Sequence, residues 1–236
     1  MGLAQKINGA SCQTTFASVA STNFIMALNA GGPQSTRIDI VFDTYREISI
    51  IHVERGIGGE VQGVQLANIT ATQIIRRWRR FLSQMKNKTS LVRFLANEFK
   101  SEKYKEILQR QSKVRFINSE EKCWKITGES IEEVPELAIS QEEADTQLLL
   151  HGSRAAQKGH QAVIVVTEDT DVFVLLLSFC RAMNTTILQK CSSSTRTKLT
   201  DVKKITTVLG EDKCRALIGV HALITIVSVT YESVAI

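Results

Sequence analysis

The stretch that decides the fold is Ala162-Val163-Ile164-Val165-Val166, followed at once by Thr167-Glu168-Asp169-Thr170-Asp171. The first part is a continuous apolar run rich in β-branched residues, which predicts a parallel strand covered on both faces. The second part is acidic and leads into a helical pattern from about Thr170 to Met183. The sequence therefore predicts a buried strand whose carboxyl end carries a cluster of acidic side chains.

The rest of the chain alternates strand and helix patterns. The predicted strands are Arg37 to Asp43, Val114 to Ile117, Lys122 to Thr127 and Thr186 to Lys190, and the predicted helices are Thr15 to Leu28, Thr70 to Met85, Ser90 to Gln109, Gln141 to Ala156, Asp201 to Leu209 and Lys213 to Leu217. This order predicts an α/β fold of the Rossmann-like, three-layer kind, with an open, mostly parallel sheet between helices. We expect an irregular or helical lead-in over 1–36, one domain over 37–223 and a divergent tail over 224–236.

Composition narrows the class of protein. The chain has 236 residues, of which 43% are hydrophobic, and its net charge is +5, which favours polyanionic partners such as nucleic acid. The five cysteines contain no C-x-x-C pair, so we expect reduced thiols and an intracellular protein, nuclear or cytoplasmic. No apolar run reaches membrane-spanning length, and Gly56 to Gly63 lacks the phosphate-loop pattern of nucleotide-binding proteins.

Acidic residues follow or precede predicted elements at three places. Asp43 ends one predicted strand, Asp169 and Asp171 follow another, and Glu143 and Asp145 open a helix. Ligands of open α/β sheets gather at the carboxyl ends of strands, and Mg²⁺ prefers carboxylate oxygens. Each residue also has a structural explanation, because acids are common in turns, at helix N-caps and in first helical turns.

Short motifs at these positions suggest a family. Glu143-Ala144-Asp145-Thr146-Gln147 followed by Thr167-Glu168-Asp169-Thr170-Asp171 resembles the internal motif of flap endonucleases and XPG-type nucleases, and Phe42-Asp43 looks like their F-D-G strand end. The resemblance implies a PIN-like nuclease domain that uses Mg²⁺ or Mn²⁺. It also implies a phosphate-binding role for Arg55 and the metal ligands Asp43, Glu143, Asp145, Asp169 and Asp171.

Nearly the whole chain also resembles a group of uncharacterised animal proteins found in many copies per genome. Their motifs stand here at Val41 to Glu47, Lys86 to Leu91, Gln141 to Asp145 and Thr167 to Phe173. That pattern ends abruptly after His221-Ala222-Leu223, where the look-alike proteins continue with a Gly-Cys-Asp motif. A frameshift or a wrongly assigned exon would produce such a change, and the domain would then be truncated.

Other departures concern the catalytic residues of the nucleases. Those enzymes carry an acid on a first strand, and this chain has no match to it before Asp39. Ile51 occupies the position of a phosphate-binding lysine, although Arg55 retains the arginine. The metal site implied by the resemblance is therefore incomplete.

The densest basic segment is Arg76-Arg77-Trp78-Arg79-Arg80. Its four arginines are candidates for binding nucleic-acid phosphates, with Trp78 stacking on a base. The alternative is an amphipathic helix with the tryptophan in the core and the arginines in solvent. Three functions stay open at this point: a metal-dependent nuclease-like domain, a non-catalytic binding module of the same fold, and a non-functional fragment of a mobile element.

Overall fold

The computed structural model describes residues 14–43, 66, 68–75, 77–138, 144–192 and 196–234. The chain divides into two compact units, Met1–Gln147 and Leu148–Ile236, with the boundary inside one helix. Each unit has its own hydrophobic core.

The first unit contains a four-stranded mixed sheet. Its strands, in spatial order, are β2 (Arg37–Ile40), β4 (Val114–Ser119), β5 (Lys122–Ile126) and β6 (Ile131–Glu133). Strands β2 and β4 are parallel, whereas β4–β5 and β5–β6 are antiparallel. A short antiparallel pair, β1 (Thr14–Thr15) and β3 (Ile74–Ile75), lies apart from that sheet.

Helices of the first unit supply most of its core. They are α1 (Phe16–Ala30), α2 (Trp78–Leu82), α3 (Met85–Glu98) and α4 (Glu102–Arg110). Helix α1 begins where Thr15 Oγ1 accepts a hydrogen bond from Ser18 N, and the chain turns sharply after it at Gly32, whose φ is +77°. Edge-to-face aromatic contacts, including Phe16 with Trp78 and with Phe81, bind the helices together.

The second unit is a three-stranded sheet with helices. It contains β7 (Ala162–Val166), β8 (Thr186–Ser192) and β9 (Thr197–Asp201), with α6 (Thr170–Phe179), α7 (Val202–Leu209) and α8 (Glu211–Val234). Helix α5 (Ala144–Gln157) crosses the boundary between the units. Strand β7 is parallel to β8 through the crossover helix α6, and β9 returns antiparallel to β8. The core consists of apolar side chains from the helices and from β7 and β8, whereas Leu199 of β9 is exposed.

The α/β class agrees with the sequence, but the described sheets are mixed and not mostly parallel. The cause is the length of the connections, because antiparallel strands need only a short turn whereas parallel strands need a crossover. Glu120 and Glu121 alone connect β4 to β5, with φ of 53° and 66°. Strand β7 was also expected to be covered on both faces, yet only Val165 is buried and Val166 is 49% exposed. It is an edge strand of the described sheet.

Several predicted elements are confirmed, among them α1, β4, β5, β7, β8 and α7. The helix predicted over Thr70 to Met85 is wrong in its first half, which contains a turn and β3 before α2 begins at Trp78. The long helix predicted over Ser90 to Gln109 is two helices, α3 and α4, separated by Phe99-Lys100-Ser101. The break lies at Ser101, whose extended backbone ends the first helical path and makes it the N-cap of α4, a position that serine favours.

Candidate acidic site

The first candidate acid, Asp43, lies three residues beyond β2 at the carboxyl end of the β2–β4 pair. Its Oδ1 accepts a hydrogen bond of 3.1 Å from the backbone N–H of Ala144, which is 101 residues away in sequence. Ala144 is the first residue of α5, and Asp145 follows it in the first turn. The structure therefore brings the strand-end acid Asp43 against the helical turn that carries Asp145.

The contact between Asp43 and Ala144 is compatible with a helix-capping role of the acid and with a metal-binding role. Asp43 places a negative charge at the positive end of the α5 dipole and satisfies one of its free N–H groups. The same contact also brings the acidic residue that follows β2 to the helical turn that carries Asp145. Glu143, Arg55 and Arg76 lie outside the described residues.

In the second unit, Asp169 is the N-cap of α6. Its Oδ1 accepts a hydrogen bond of 2.9 Å from Asp171 N, and both side chains are exposed. The expected N-cap role of Asp169 and first-turn position of Asp171 are confirmed. The two carboxylates are neighbours in a solvent-accessible turn.

Strand β8 fixes the start of that turn through Thr167. Thr167 N donates to Lys190 O at 3.2 Å, and Thr167 O accepts from Cys191 Sγ at 3.2 Å. Thr167 Oγ1 in turn accepts from Asp169 N at 3.0 Å. These contacts hold the backbone that presents the acids, so their positions follow from the parallel pairing of β7 with β8.

Sequence reasoning missed one member of this cluster. His221 on α8 donates from Nε2 to Asp171 Oδ1 at 2.7 Å, across 50 residues of sequence. The side chains are 31% and 53% exposed, so water screens the pair. No local motif signals this contact, because His221 and Asp171 are 50 residues apart in sequence.

Asp39 is the acidic residue closest to the place of the first-strand acid in the nucleases. It forms an ion pair with a neighbouring residue. Arg37 donates to it from Nε at 2.8 Å and from Nη2 at 2.7 Å, a bidentate pair within β2. The Arg37 guanidinium also lies 4.0 Å from the centre of the Phe116 ring. With side chains only 10% and 17% exposed, this pair neutralises Asp39 locally.

The donor set is made of hard carboxylate oxygens, which fits Mg²⁺ or Mn²⁺ and not a softer ion. Among the described residues, no group of three or more His, Cys, Asp or Glu side chains is placed to hold a metal ion. Mg²⁺ is commonly held by one or two carboxylates and several waters, so pairs of acids still satisfy its chemistry. In the second unit, Asp169 and Asp171 form such a pair of acids in sequence, and each has one carboxylate oxygen in a hydrogen bond.

The basic segment divides between core and surface. Trp78 is 8% exposed and packs edge-to-face on Phe16 and Phe81, so its ring belongs to the core and is not available for base stacking. Arg77, Arg79 and Arg80 are exposed. The tryptophan therefore lies in the core, as expected for an amphipathic helix. The exposed arginines present positive charge to solvent.

No protein-family model matches the chain, and neither a curated protein nor a solved structure is significantly similar to it. In the part of the chain that the structure describes, no helix combines the length and apolar character needed to cross a membrane.

Proposed function

We propose that this chain is a PIN-like, flap-endonuclease-like module that binds a divalent metal ion and acts on nucleic-acid phosphodiesters. The observation that carries the proposal is the hydrogen bond from Ala144 N to Asp43 Oδ1, at 3.1 Å. It joins the strand-end acid to the start of the helix that carries Asp145. Such a junction is what a metal site assembled from distant segments requires.

The proposed ligands are Asp43, Glu143 and Asp145 in the first unit and, as a separate set, Asp169 and Asp171 in the second unit. When bound, a Mg²⁺ or Mn²⁺ ion supplies positive charge that stabilises the oxygens of a phosphodiester undergoing cleavage. Arg55 is the proposed contact to the scissile phosphate. Arg76, Arg77, Arg79 and Arg80 are proposed to bind backbone phosphates farther along the strand.

A second candidate is a non-catalytic module of the same fold that binds nucleic acid or protein. Its support is that Asp43 and Asp169 each accept a hydrogen bond from a backbone N–H at a helix N-terminus, which is a structural role. Asp39 is paired with Arg37. Acids used as caps stabilise helices whether or not a metal binds, so binding without cleavage is this candidate's signature.

The decisive experiment measures cleavage of flapped and branched DNA and RNA with Mg²⁺ and with Mn²⁺, comparing Asp169→Asn with the unmodified protein. Asparagine caps a helix as well as aspartate does, so this variant keeps the cap and loses only the charge. Asp201→Asn is the matched control, because Asp201 caps α7 through a 3.2 Å hydrogen bond from Lys204 N.

Metal-dependent cleavage that is lost in Asp169→Asn and kept in Asp201→Asn supports the nuclease proposal. Nucleic-acid binding without cleavage in the unmodified protein supports the non-catalytic module. If the unmodified protein neither cleaves nor binds nucleic acid, the nuclease proposal fails, and of the second candidate only a protein-binding module is left.

A further inference from the structure

Asn118, near the end of β4, is a buried polar residue that no motif accounts for. It is 5% exposed, and its Nδ2 donates to Leu137 O and to Gln147 Oε1, each at 3.0 Å. Gln147 and Leu137 are themselves only 2% and 1% exposed. Because side chains alternate along a strand, Asn118 lies on the opposite face of the sheet from Ile117.

The partner Gln147 stands one helical turn after Ala144 on α5. The first turn of α5 is thus attached to the sheet at two points, through Asp43 after β2 and through Asn118 on β4. Strands β2 and β4 are parallel, with Ile40 opposite Ile117, so both attachments lie toward the carboxyl end of the pair. The turn between the two attachments is the one that carries Asp145.

The hydrogen bonding of Asn118 is incomplete. Its Oδ1 is buried and has no donor among the described residues. A buried acceptor without a donor costs free energy, and an apolar side chain of similar shape avoids that cost. Packing alone therefore does not explain an asparagine here, whereas its directed contacts to Leu137 O and Gln147 Oε1 do.

We propose that Asn118 is a positioning residue, which fixes the first turn of α5 through Gln147 and so sets the position of Asp145 relative to Asp43. This inference rests on the proposed function, because it assigns Asn118 to the support of that metal site. Groups that orient metal ligands typically change metal affinity 10- to 100-fold when they are removed. They do so without touching the ion.

The test is the double variant Asn118→Val with Gln147→Leu, studied by Mn²⁺ binding, with free Mn²⁺ followed by electron paramagnetic resonance. Replacing both side chains removes their hydrogen bond and leaves neither of them unpaired, but Leu137 O loses its donor, which costs about 1–3 kcal/mol. We expect the unfolding midpoint to fall by no more than about 12 °C. We expect Mn²⁺ affinity to fall about tenfold, because the first turn of α5 loses one of its two attachments.

A matched control removes a hydrogen-bonded pair from the other face of the same sheet. Ser21 Oγ and Tyr104 OH are 3.1 Å apart, and Tyr104 is 1% exposed, so Ser21→Ala with Tyr104→Phe is a comparable change away from α5. This control is expected to keep the Mn²⁺ affinity of the unmodified protein. A purely structural effect on the first unit would lower affinity in both double variants.

Equal Mn²⁺ affinity in the unmodified protein and in the Asn118/Gln147 variant would overturn the inference alone. No Mn²⁺ binding by the unmodified protein would overturn the proposed function, and this inference with it. If the double variant does not fold, Asn118→Thr decides, since threonine suits a strand but is too short to reach both partners. Weaker Mn²⁺ binding in Asn118→Thr supports the inference, and unchanged binding overturns it.

Discussion

His221 on α8 and Asp171 in the first turn of α6 are joined by a hydrogen bond of 2.7 Å. The two residues come from different helices of the second unit, which pack together in its core. Asp171 thus has one carboxylate oxygen engaged by a side chain, whereas Asp169 uses one oxygen to cap the helix. The acidic turn is therefore held from α8 as well as from β8.

Replacing His221 by alanine is expected to destabilise the protein only slightly. The side chains of His221 and Asp171 are 31% and 53% exposed, and pairs of this exposure contribute about 1 kcal/mol or less to the free energy of unfolding. Urea unfolding of His221→Ala measures this, with Val220→Ala on the neighbouring exposed position as the control. A loss of several kcal/mol would contradict the expectation.

The elements that the sequence predicts well are those whose signals are local. The apolar run Ala162–Val166 is a strand with the expected bounds, and the helix after Asp169 begins where the cap pattern places it. The break between α3 and α4 contains no Gly or Pro, and its local signal is the N-cap residue Ser101 followed by Glu102. Serine is also common inside helices and on surfaces, so the apolar periodicity alone joins the two helices into one.

The same distinction applies to the candidate site. Asp43, Asp169 and Asp171 were identified because each adjoins a strand or helix end, which is visible in the sequence. His221 and Asn118 were not, because their partners are 50 and 29 residues away. Contacts across such a separation depend on how helices pack on a sheet, and the spacing of residues in the sequence does not predict them.

The turn between β4 and β5 offers a way to stabilise the first unit. Glu120 and Glu121 have φ of 53° and 66°, a left-handed conformation that favours Asn and Gly in two-residue hairpin turns. We expect Glu120→Asn with Glu121→Gly to raise the free energy of unfolding by about 1 kcal/mol. Thermal unfolding of the double variant measures the gain.

The ion pair that the change at Glu120 removes is weak. Glu120 accepts a 2.6 Å hydrogen bond from Arg93, but the two side chains are 53% and 56% exposed, so the pair is screened by water. Arg93→Ala alone removes the same pair without relieving the turn, and serves as the control. An unfolding temperature of the double variant below that of Arg93→Ala would show that the turn is not strained.

The cysteines in the part of the chain that the structure describes are expected to react with alkylating reagents at different rates. Burial raises the pKa of the Cys123 thiol to about 12, with Asp39 adding to the effect, and burial also raises the pKa of Cys180. The thiolate is the reactive form, so both should react slowly with iodoacetamide at pH 8. Cys191 is partly exposed and should be modified first. Mass spectrometry of the native protein over time measures the order, and early modification of Cys123 would contradict it.

Arg115 is the largest fully buried side chain of the first unit, and its replacement by methionine is expected to stabilise the protein. None of its three side-chain nitrogens has a hydrogen-bond partner among the described residues, although the guanidinium lies 3.6 Å from the centre of the Phe24 ring. A buried charge without an acceptor costs more than an apolar side chain of similar length. We expect a gain of about 1–3 kcal/mol in Arg115→Met.

Arg115→Ala is the contrasting variant, because it leaves a cavity beside Phe24 and Phe99 and should cost about 2–4 kcal/mol. Urea unfolding of both variants at neutral pH distinguishes loss of charge from loss of volume. Destabilisation in both variants would show that the guanidinium stabilises the core.

The gain in Arg115→Met should depend on pH. Burial lowers the pKa of Arg115 from 12.5 to about 9, against a smaller opposing effect of Tyr104, whereas in the unfolded chain it stays near its ordinary value. Between those two pKa values the unfolded chain binds more protons than the folded protein does. The free energy of unfolding of the unmodified protein therefore rises with pH, because the folded protein no longer buries a charged guanidinium. Below about pH 9 the cost is fully present. The stability difference between Arg115→Met and the unmodified protein should therefore shrink by about 1 kcal/mol between pH 7.5 and pH 10. Groups that titrate alike in both proteins cancel from this difference, and a difference that stays constant would mean that Arg115 remains charged at pH 10.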